Sequence, residues 1–256
     1  MKKNHQDLLI NLVKREIASR YKQSVLGYFW VILNPFFQML VMTIVFAKIM
    51  RISIPGVPYF LFLYAGLLPW TFFTNALTSA MGNLVGMGSL IKKVYFPREI
   101  IILATLLAKV VDLVLASLIF VFFMFFFRQP SNIFLDLIFV PLIFFIQFLF
   151  TFGLALMVAA FNLFYRDIQY LMNLILSLWF YLTPVIYPKE MIPAKLQFLF
   201  ALNPMSVLLN AYRQVILGAQ LPNLPHLTVA LLASLMVLII GWAIFKQLEG
   251  KFADVV

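Results

Sequence analysis

A cluster of charged side chains lies at residues 91–100, whose sequence is IKKVYFPREI, in a chain with only 11% charged residues. Its charged, aromatic and proline residues are Lys92, Lys93, Tyr95, Phe96, Pro97, Arg98 and Glu99. Arginine beside aromatic rings is favoured at the centre of protein–protein contacts. The alternative is a membrane surface, where lysines reach the headgroups and rings lie among them. Either way the residue types indicate a contact surface.

The residues around this cluster predict a short, stiff helix. Ser89 is a suitable N-cap, and the pattern predicts a helix over 89–96. Pro97 then stops it, because a residue before proline disfavours the α conformation. Glu99 falls at the start of the next helix, where negative charge suits the helix dipole. We therefore expect 83–99 to present an amphipathic knob with its aromatic rings exposed.

Two further charge pairs could carry chemistry. Lys109 and Asp112 lie three residues apart in an apolar run, so they share a helix face. Ionisable residues inside a span are functional candidates, but a pair that neutralises itself against a neighbouring helix is equally compatible with the sequence. Tyr165, Arg166 and Asp167 occupy a short connection, where each adjacent charge must reach a different partner.

The inventory for catalysis is small. The only histidines are His5 and His226, near opposite ends of the chain, and there is no cysteine. No G-x-x-x-x-G-K-[ST] phosphate loop is present, since Gly250-Lys251 is followed by Phe252. The sequence therefore predicts neither an enzyme nor a metal or cofactor site, and any ATP hydrolysis would need another subunit.

The composition points to lipid as the main solvent. Hydrophobic residues make up 64% of the 256 residues, whereas about a quarter of a soluble domain is charged. The net charge of +10 comes from dispersed Lys and Arg beside apolar runs. That distribution is typical of the positive-inside bias of membrane proteins, and nucleic-acid binding is not expected.

The apolar runs predict an all-α polytopic membrane protein, because about 20 apolar residues cross the bilayer as a helix. We predict one domain with six transmembrane spans, at 28–50, 59–81, 100–127, 133–161, 168–187 and 226–245. More Lys and Arg lie in the connections on the side of the N-terminus, which predicts that both termini are cytoplasmic.

Two segments outside these spans have patterns of their own. At 1–27, an apolar stripe runs along one side of a helix through Leu9, Val13, Ile17, Tyr21 and Val25, and charged residues lie on the other side. This pattern predicts an interface helix. A soluble helix packed on a partner is the alternative. At 188–225, five prolines bound apolar stretches too short to span. They predict short re-entrant or interfacial helices, with Asn203-Pro204 and Gly218 as helix ends; a surface loop is the alternative.

Aromatic rings with a polar edge recur near the predicted span ends. They are Tyr28, Trp30, Tyr59, Tyr64, Trp70, Tyr181 and Tyr187. Such rings can stack on sugars while hydrogen bonding through their polar edge. The alternative for each is the ordinary aromatic belt at the membrane interface.

Several motifs together resemble a known family. They are LNP at 33–35, KKVYFPRE at 92–99, YRDI at 165–168 and LNP at 202–204, combined with six spans and an amphipathic N-terminal helix. In order and spacing the chain resembles the ABC-2 type permeases along essentially its whole length. Within that family it resembles the branch of polysaccharide exporters, which move O-antigen, capsular polysaccharide or teichoic acid.

The resemblance implies a homodimer in the bacterial inner membrane that encloses a channel for a lipid-linked glycan. It implies two copies of a separate ATPase, which would hold ATP and Mg. Residues 92, 93 and 95–99 would form the coupling helix, 165–167 a second contact, and 188–225 the outer gate. The alternatives are a permease for a drug or small lipid, a membrane-embedded glycan or acyl transferase, and an ion- or proton-coupled carrier.

Overall fold

A computed structural model describes residues 2–21, 27, 29–94, 96–127 and 132–255. These residues form helices, turns and irregular segments, with no strand among them. The helices are α1 (Lys2–Tyr21), α2 (Phe29–Thr43), α3 (Tyr59–Gly86), α4 (Gly88–Lys93), α5 (Glu99–Phe126), α6 (Ile133–Phe164), α7 (Ile168–Tyr181), α8 (Gln197–Leu202), α9 (Pro204–Ile216), α10 (Leu224–Glu249) and α11 (Phe252–Val255). A π-helical segment, Ile44–Ile49, continues α2.

Among the described residues, five helices are long and apolar enough to cross a membrane: α2 with its π-helical continuation, α3, α5, α6 and α10. The prediction of an all-helical polytopic protein is confirmed at this level. The predicted span 168–187 is instead the 14-residue α7. At 1.5 Å per residue it is about 21 Å long, shorter than the roughly 30 Å hydrocarbon core. Turns begin at Leu182, just before Pro184, which cannot continue a helix.

The short helix of the charged cluster differs from its prediction. α4 ends at Lys93, and Val94 is extended, with φ −132° and ψ 134°. The expected helix over 89–96 therefore ends too late, and Pro97 is not what stops it. β-branched Val94 favours extended backbone. Met87, rather than Ser89, occupies the N-cap position of α4. Glu99 does open α5, as predicted.

Helix α3 forms the centre of the molecule. It is buried along most of its length, with α5, α6 and α9 packed against it. Its rings and leucines, such as Phe73 and Leu67, are fully enclosed. In contrast, α2 leaves apolar side chains such as Phe29 and Val41 exposed. The core thus encloses most of α3, while α2 keeps an uncovered apolar face.

Helices α6 and α10 cross with their backbones in contact. A Cβ on Gly153 would lie 2.6 Å from the Cα of Leu238, and a Cβ on Gly241 would meet the carbonyl oxygen of Gly153. Small residues permit this close approach between membrane helices. The crossing holds α10 against α6 along the body of the protein.

Helix α1 packs on α5, and its buried face is centred on Leu12. Leu8, Leu9 and Val13 lie beside it against the core. The predicted stripe took Leu9 and Val13 but omitted Leu8 and Leu12. A helix face includes residues at both i+3 and i+4, so a stripe read at every fourth residue drifts from its centre.

The proline-rich region contains two 3₁₀ turns, Lys189–Met191 and Ala194–Leu196, followed by α8 and α9. Pro204 opens α9, and the Asn203 carboxamide oxygen accepts from the amide of Met205 at 3.1 Å. The helix ends at Ile216, just before Gly218. The predicted helix ends at Asn203-Pro204 and Gly218 are confirmed.

Candidate functional site

The charged cluster meets the C-terminal end of the chain. The Arg98 amide donates to the Glu249 carboxylate at 3.0 Å, and its guanidinium donates to the Glu249 backbone carbonyl. The Lys246 ammonium lies 2.8 Å from the carboxylates of both Glu99 and Glu249. We call Arg98, Glu99, Lys246, Glu249 and Phe252 the C-terminal clasp. It fastens the start of α5 to the end of α10.

Phe252 contributes aromatic contacts to the clasp. It is fully buried, with its ring centroid 5.2 Å from that of Phe245 and 6.0 Å from that of Phe164. The Arg98 guanidinium lies 5.7 Å from the Phe252 ring centroid, within the range of a cation–π contact. α11, which carries Phe252, also packs on α4. The chain's own C-terminus therefore covers part of the predicted coupling segment.

This packing corrects the expected knob. Phe96 is buried, so it is not displayed as predicted, and Pro97, Arg98 and Glu99 are half-buried. Lys92, Lys93 and Val94 are the exposed members of the cluster. Tyr95 lies outside the described residues.

The second predicted contact, the turn Tyr165–Asp167, is exposed and lies at the same end of the molecule. Buried Asn162 holds it: its oxygen accepts from the Gln169 amide at 3.0 Å and its nitrogen donates to the Met81 carbonyl at 3.4 Å. Phe164, just before the turn, touches Phe252 of the clasp. The exposed turn and the exposed lysines of α4 thus flank one clasp.

Between α2, α3, α5 and α7 lies a second feature, a cleft of about 790 Å³ that we call the polar cleft. The predicted path residues on its wall are Trp30, Trp70, Lys109, Asp112 and Tyr181. Polar residues that sequence reasoning missed also line it: Asn34, Gln38, Thr71, Thr74, Asn75, Thr78, Asn173 and Ser177. The cleft is therefore rich in uncharged hydrogen-bonding groups although apolar spans surround it.

The Lys109 ammonium lies 3.5 Å from the Asp112 carboxylate, so the predicted pair forms, and it does so on the cleft wall. Tyr64 is instead buried and donates to the carbonyl of Ala116 at 3.1 Å. The Tyr187 hydroxyl donates to the Tyr181 carbonyl at 2.7 Å. Neither tyrosine lines the cleft, and Tyr28 lies outside the described residues.

A buried polar network lies behind the cleft. The Gln147 amide nitrogen donates to the Pro69 carbonyl at 2.7 Å, and its oxygen accepts from the Tyr212 hydroxyl at 3.0 Å. This network joins α6, α3 and α9. A glutamine in an apolar run signals such a link, but its partners are distant in sequence. Within the described residues, no group of three or more His, Asp or Glu side chains is placed to hold a metal ion.

Arg213 of α9 is buried. Its guanidinium donates to the carbonyls of Phe62 at 3.2 Å, Pro184 at 2.5 Å and Val185 at 2.6 Å. It also lies 3.6 Å from the Phe62 ring centroid. Gly66 leaves the space, since a Cβ there would collide with the guanidinium. Arg213 thus joins α9 to α3 and to the turn after α7.

Comparison with known proteins defines the class. Residues 7–217 match the family described as ABC-2 type transporter, and the chain belongs to that family. It is 32% identical over 250 residues to an O-antigen export system permease protein RfbA of Klebsiella pneumoniae, covering 97% of this chain and 95% of that protein. An RfbA of Myxococcus xanthus is 32% identical, over 98% and 95%. The polysialic acid transport protein KpsM of Escherichia coli is 23% identical, over 93% and 92%. The resemblance to polysaccharide-exporting ABC-2 permeases is confirmed.

Proposed function

We propose that this chain is the membrane permease subunit of an ABC exporter that moves a lipid-linked polysaccharide across the bacterial inner membrane. The polar cleft carries the proposal, because it places hydrogen-bonding groups among apolar spans in a chain whose relatives are named for O-antigen export and polysialic acid transport. A separate ATPase supplies the energy and holds ATP and Mg, since this sequence has no phosphate loop.

The chemistry of the cleft suits a sugar polymer. Carboxamides and hydroxyls can both donate to and accept from sugar hydroxyls, and the exposed indole ring of Trp30 offers a face for stacking. Trp70 is buried beside Phe73 and Phe180 and supports the wall from behind. Among the described residues, the cleft wall carries the ion pair Lys109–Asp112, whose charges offset each other. These groups favour an uncharged, hydroxyl-rich cargo. We assign Trp30, Trp70, Lys109, Asp112 and Tyr181 to the substrate path.

The open apolar face of α2 supports a homodimer. α2 forms one wall of the polar cleft, and its exposed Phe37 and Val41 lie in the same helix. A second copy packed on this face would cover apolar surface and close the cleft into a channel. Two ATPase copies then serve the two permease copies.

The proposed topology has both termini in the cytoplasm and six passes, with α7 and the segment after it completing the fifth. α1 lies at the cytoplasmic membrane interface, and α8 and α9 lie near the outer surface. The ATPase contacts exposed Lys92, Lys93 and Val94, together with the turn Tyr165–Asp167. Buried Phe96, with half-buried Arg98 and Glu99, supports this surface from within.

The cargo is tested by removing the gene from its host. We expect lipid-linked polysaccharide to accumulate on the cytoplasmic side and to disappear from the cell surface, and expression of this chain should restore export. Unchanged surface polysaccharide in the deletion strain would contradict the proposal.

The coupling surface is tested with charge-removing variants of exposed residues. Lys92→Ala, Lys93→Ala and Arg166→Ala combined should reduce recovery of the ATPase with the purified permease, because exposed complementary charges steer association. Lys189→Ala and Lys195→Ala, exposed at the other end, are the matched control. Equal ATPase recovery for both variants would reject this surface.

A further inference from the structure

A second cavity lies at the opposite end of the molecule from the C-terminal clasp. It has a volume of about 460 Å³, is lined by α9, by parts of residues 184–201 and by the start of α10, and is called here the distal pocket. Its size falls within the roughly 300–1,000 Å³ of small-ligand sites. It shares no lining residue with the polar cleft. The distal pocket is therefore a separate place where a small ligand could bind.

One face of α9 supplies a polar stripe to this pocket. Ser206, Asn210 and Gln214 follow one another at four-residue spacing, so they lie on one side of the helix. The opposite side, with Leu208 and Leu209, is buried in the core. The polar stripe is not needed for that core packing, and it faces the cavity.

Ser206 is the buried member of the polar stripe. The side chain is only 4% exposed, and its hydroxyl has no hydrogen-bond partner among the described residues. A buried hydroxyl without a partner costs about 1–3 kcal/mol. Ser206 lines the distal pocket, but its oxygen is enclosed by protein atoms, so a ligand reaches that oxygen only after a local shift of the lining.

The remaining lining residues define the chemistry of that ligand. The Asn210 carboxamide provides a donor and an acceptor. The Gln197 nitrogen already donates to the Ile192 carbonyl and the Gln214 oxygen already accepts from the Asn223 amide, each at 3.2 Å, so these two side chains offer their remaining amide atoms. Lys189 and Glu190 bring opposite charges, which favours neither an anion nor a cation. Phe198 adds an exposed apolar ring at the wall. A neutral ligand with several hydroxyl groups and an apolar face matches this set, as a sugar ring does.

We propose that the distal pocket is a saccharide-binding site that holds one unit of the glycan after it has passed the polar cleft. The proposal rests on the proposed function for the identity of the glycan as cargo. α10 begins beside the pocket, at Asn223 and His226, and ends in the C-terminal clasp. Its 26 residues cover about 39 Å, so the two sites lie at opposite ends of one helix.

The test measures sugar binding directly. The full chain is placed in phosphatidylcholine nanodiscs, because maltoside detergents carry sugars themselves. Saturation-transfer NMR is then recorded with the methyl hexopyranosides of glucose, galactose and mannose. We expect signals absent from empty nanodiscs, and Asn210→Ala should weaken binding about tenfold, the equivalent of one good hydrogen bond.

Two comparisons keep the test decisive. Phe198→Ala alters an exposed ring, so it leaves the core intact and should also weaken binding if Asn210→Ala fails to fold. Asn11→Ala, exposed on α1 and outside both cavities, should leave this binding unchanged. No signal from any of the three sugars, or a signal lost only with Asn75→Ala in the polar cleft, would overturn the distal site. Export restored by the unaltered chain without sugar binding would reject the distal site while preserving the proposed function.

Discussion

Arg213 is a single buried side chain that connects three segments of this protein. Its fork of donors reaches three backbone carbonyls in two separate segments, α3 and the turn after α7. The carbonyl-bearing residues Pro184 and Val185 are buried, so water cannot easily replace the guanidinium. Arg213 therefore helps to fix the position of α9 over the core.

We predict that Arg213→Met lowers the thermal stability of the detergent-solubilised protein. Each buried carbonyl left without a donor costs about 1–3 kcal/mol. Arg213→Lys should fall between Met and the native residue, because an ammonium cannot span the fork. The measurement is the midpoint of thermal unfolding followed by circular dichroism. Arg166→Met, at an exposed position, is the control, and an equal midpoint for both Met variants would contradict the prediction.

At this scale the sequence predicts local contacts and misses distant ones. The Lys109–Asp112 pair could be foreseen because three residues on a helix fix the neighbours. Arg213 and Phe62 are separated by 151 positions, as are Arg98 and Glu249. No periodicity connects such pairs. The sequence therefore does not show that folding buries Arg213 and half-buries Arg98.

Among the elements, the α6–α10 pair depends on the absence of side chains where the helices cross. Gly153→Ala should destabilise the protein, because its Cβ would lie within 2.6 Å of the α10 backbone, which cannot move aside alone. We expect a lower midpoint of thermal unfolding and poorer recovery as a single species on size exclusion.

Gly82→Ala is the matched control for this crossing. Gly82 also lies within a helix, but a Cβ there meets nothing within 4 Å. Alanine is a better helix former than glycine by about 1 kcal/mol, so this variant should be unchanged or slightly stabilised. A loss of stability equal to that of Gly153→Ala would show that the close crossing is not the cause.

The C-terminal clasp joins two elements that the apolar pattern alone leaves separate. Glu249→Gln keeps the shape of the side chain but removes the charge that Lys246 contacts at 2.8 Å. If the clasp transmits movement of the coupling segment to α10, ATP hydrolysis by the complex should continue while export per ATP falls about tenfold, as for a lost charge-assisted bond.

Lys251→Gln is the control for the clasp, because Lys251 is exposed between α10 and α11. The informative quantity is the ratio of glycan exported to ATP hydrolysed in reconstituted vesicles, which simple instability would not change selectively. If ATP hydrolysis and export fell together at an unchanged ratio, the clasp would hold α5 and α10 together without transmitting movement between them.

Element positions were predicted well where length alone decides them. The runs that became α3, α5, α6 and α10 exceed the length that a bilayer requires, so their presence follows from composition. α7 and α4 end earlier than predicted, because the conformation of one residue, Leu182 or Val94, decides where each helix stops. The buried face of α1 depends on contact with α5, which the sequence of α1 does not contain.

For the whole molecule, the arrangement around α3 places three features on one packed core. The polar cleft lies beside α3, the C-terminal clasp lies at the end where α5 begins, and the distal pocket lies at the end where α10 begins. Arg213 and Gln147 tie α9 to this core. A movement entering at the clasp can therefore reach the far end through α10 without a flexible link inside the helix.

This arrangement predicts that filling the polar cleft stops export without breaking the complex. Asn75 is an exposed residue of the cleft wall on α3, so Asn75→Trp should occupy the path with little strain on the core. Export should fall more than tenfold, whereas ATPase co-purification and thermal stability should stay near native values. Leu232→Trp, an exposed apolar position of α10 outside the cleft, should export normally. Normal export by Asn75→Trp would mean that the glycan crosses elsewhere, and the substrate path would then have to lie outside this cleft.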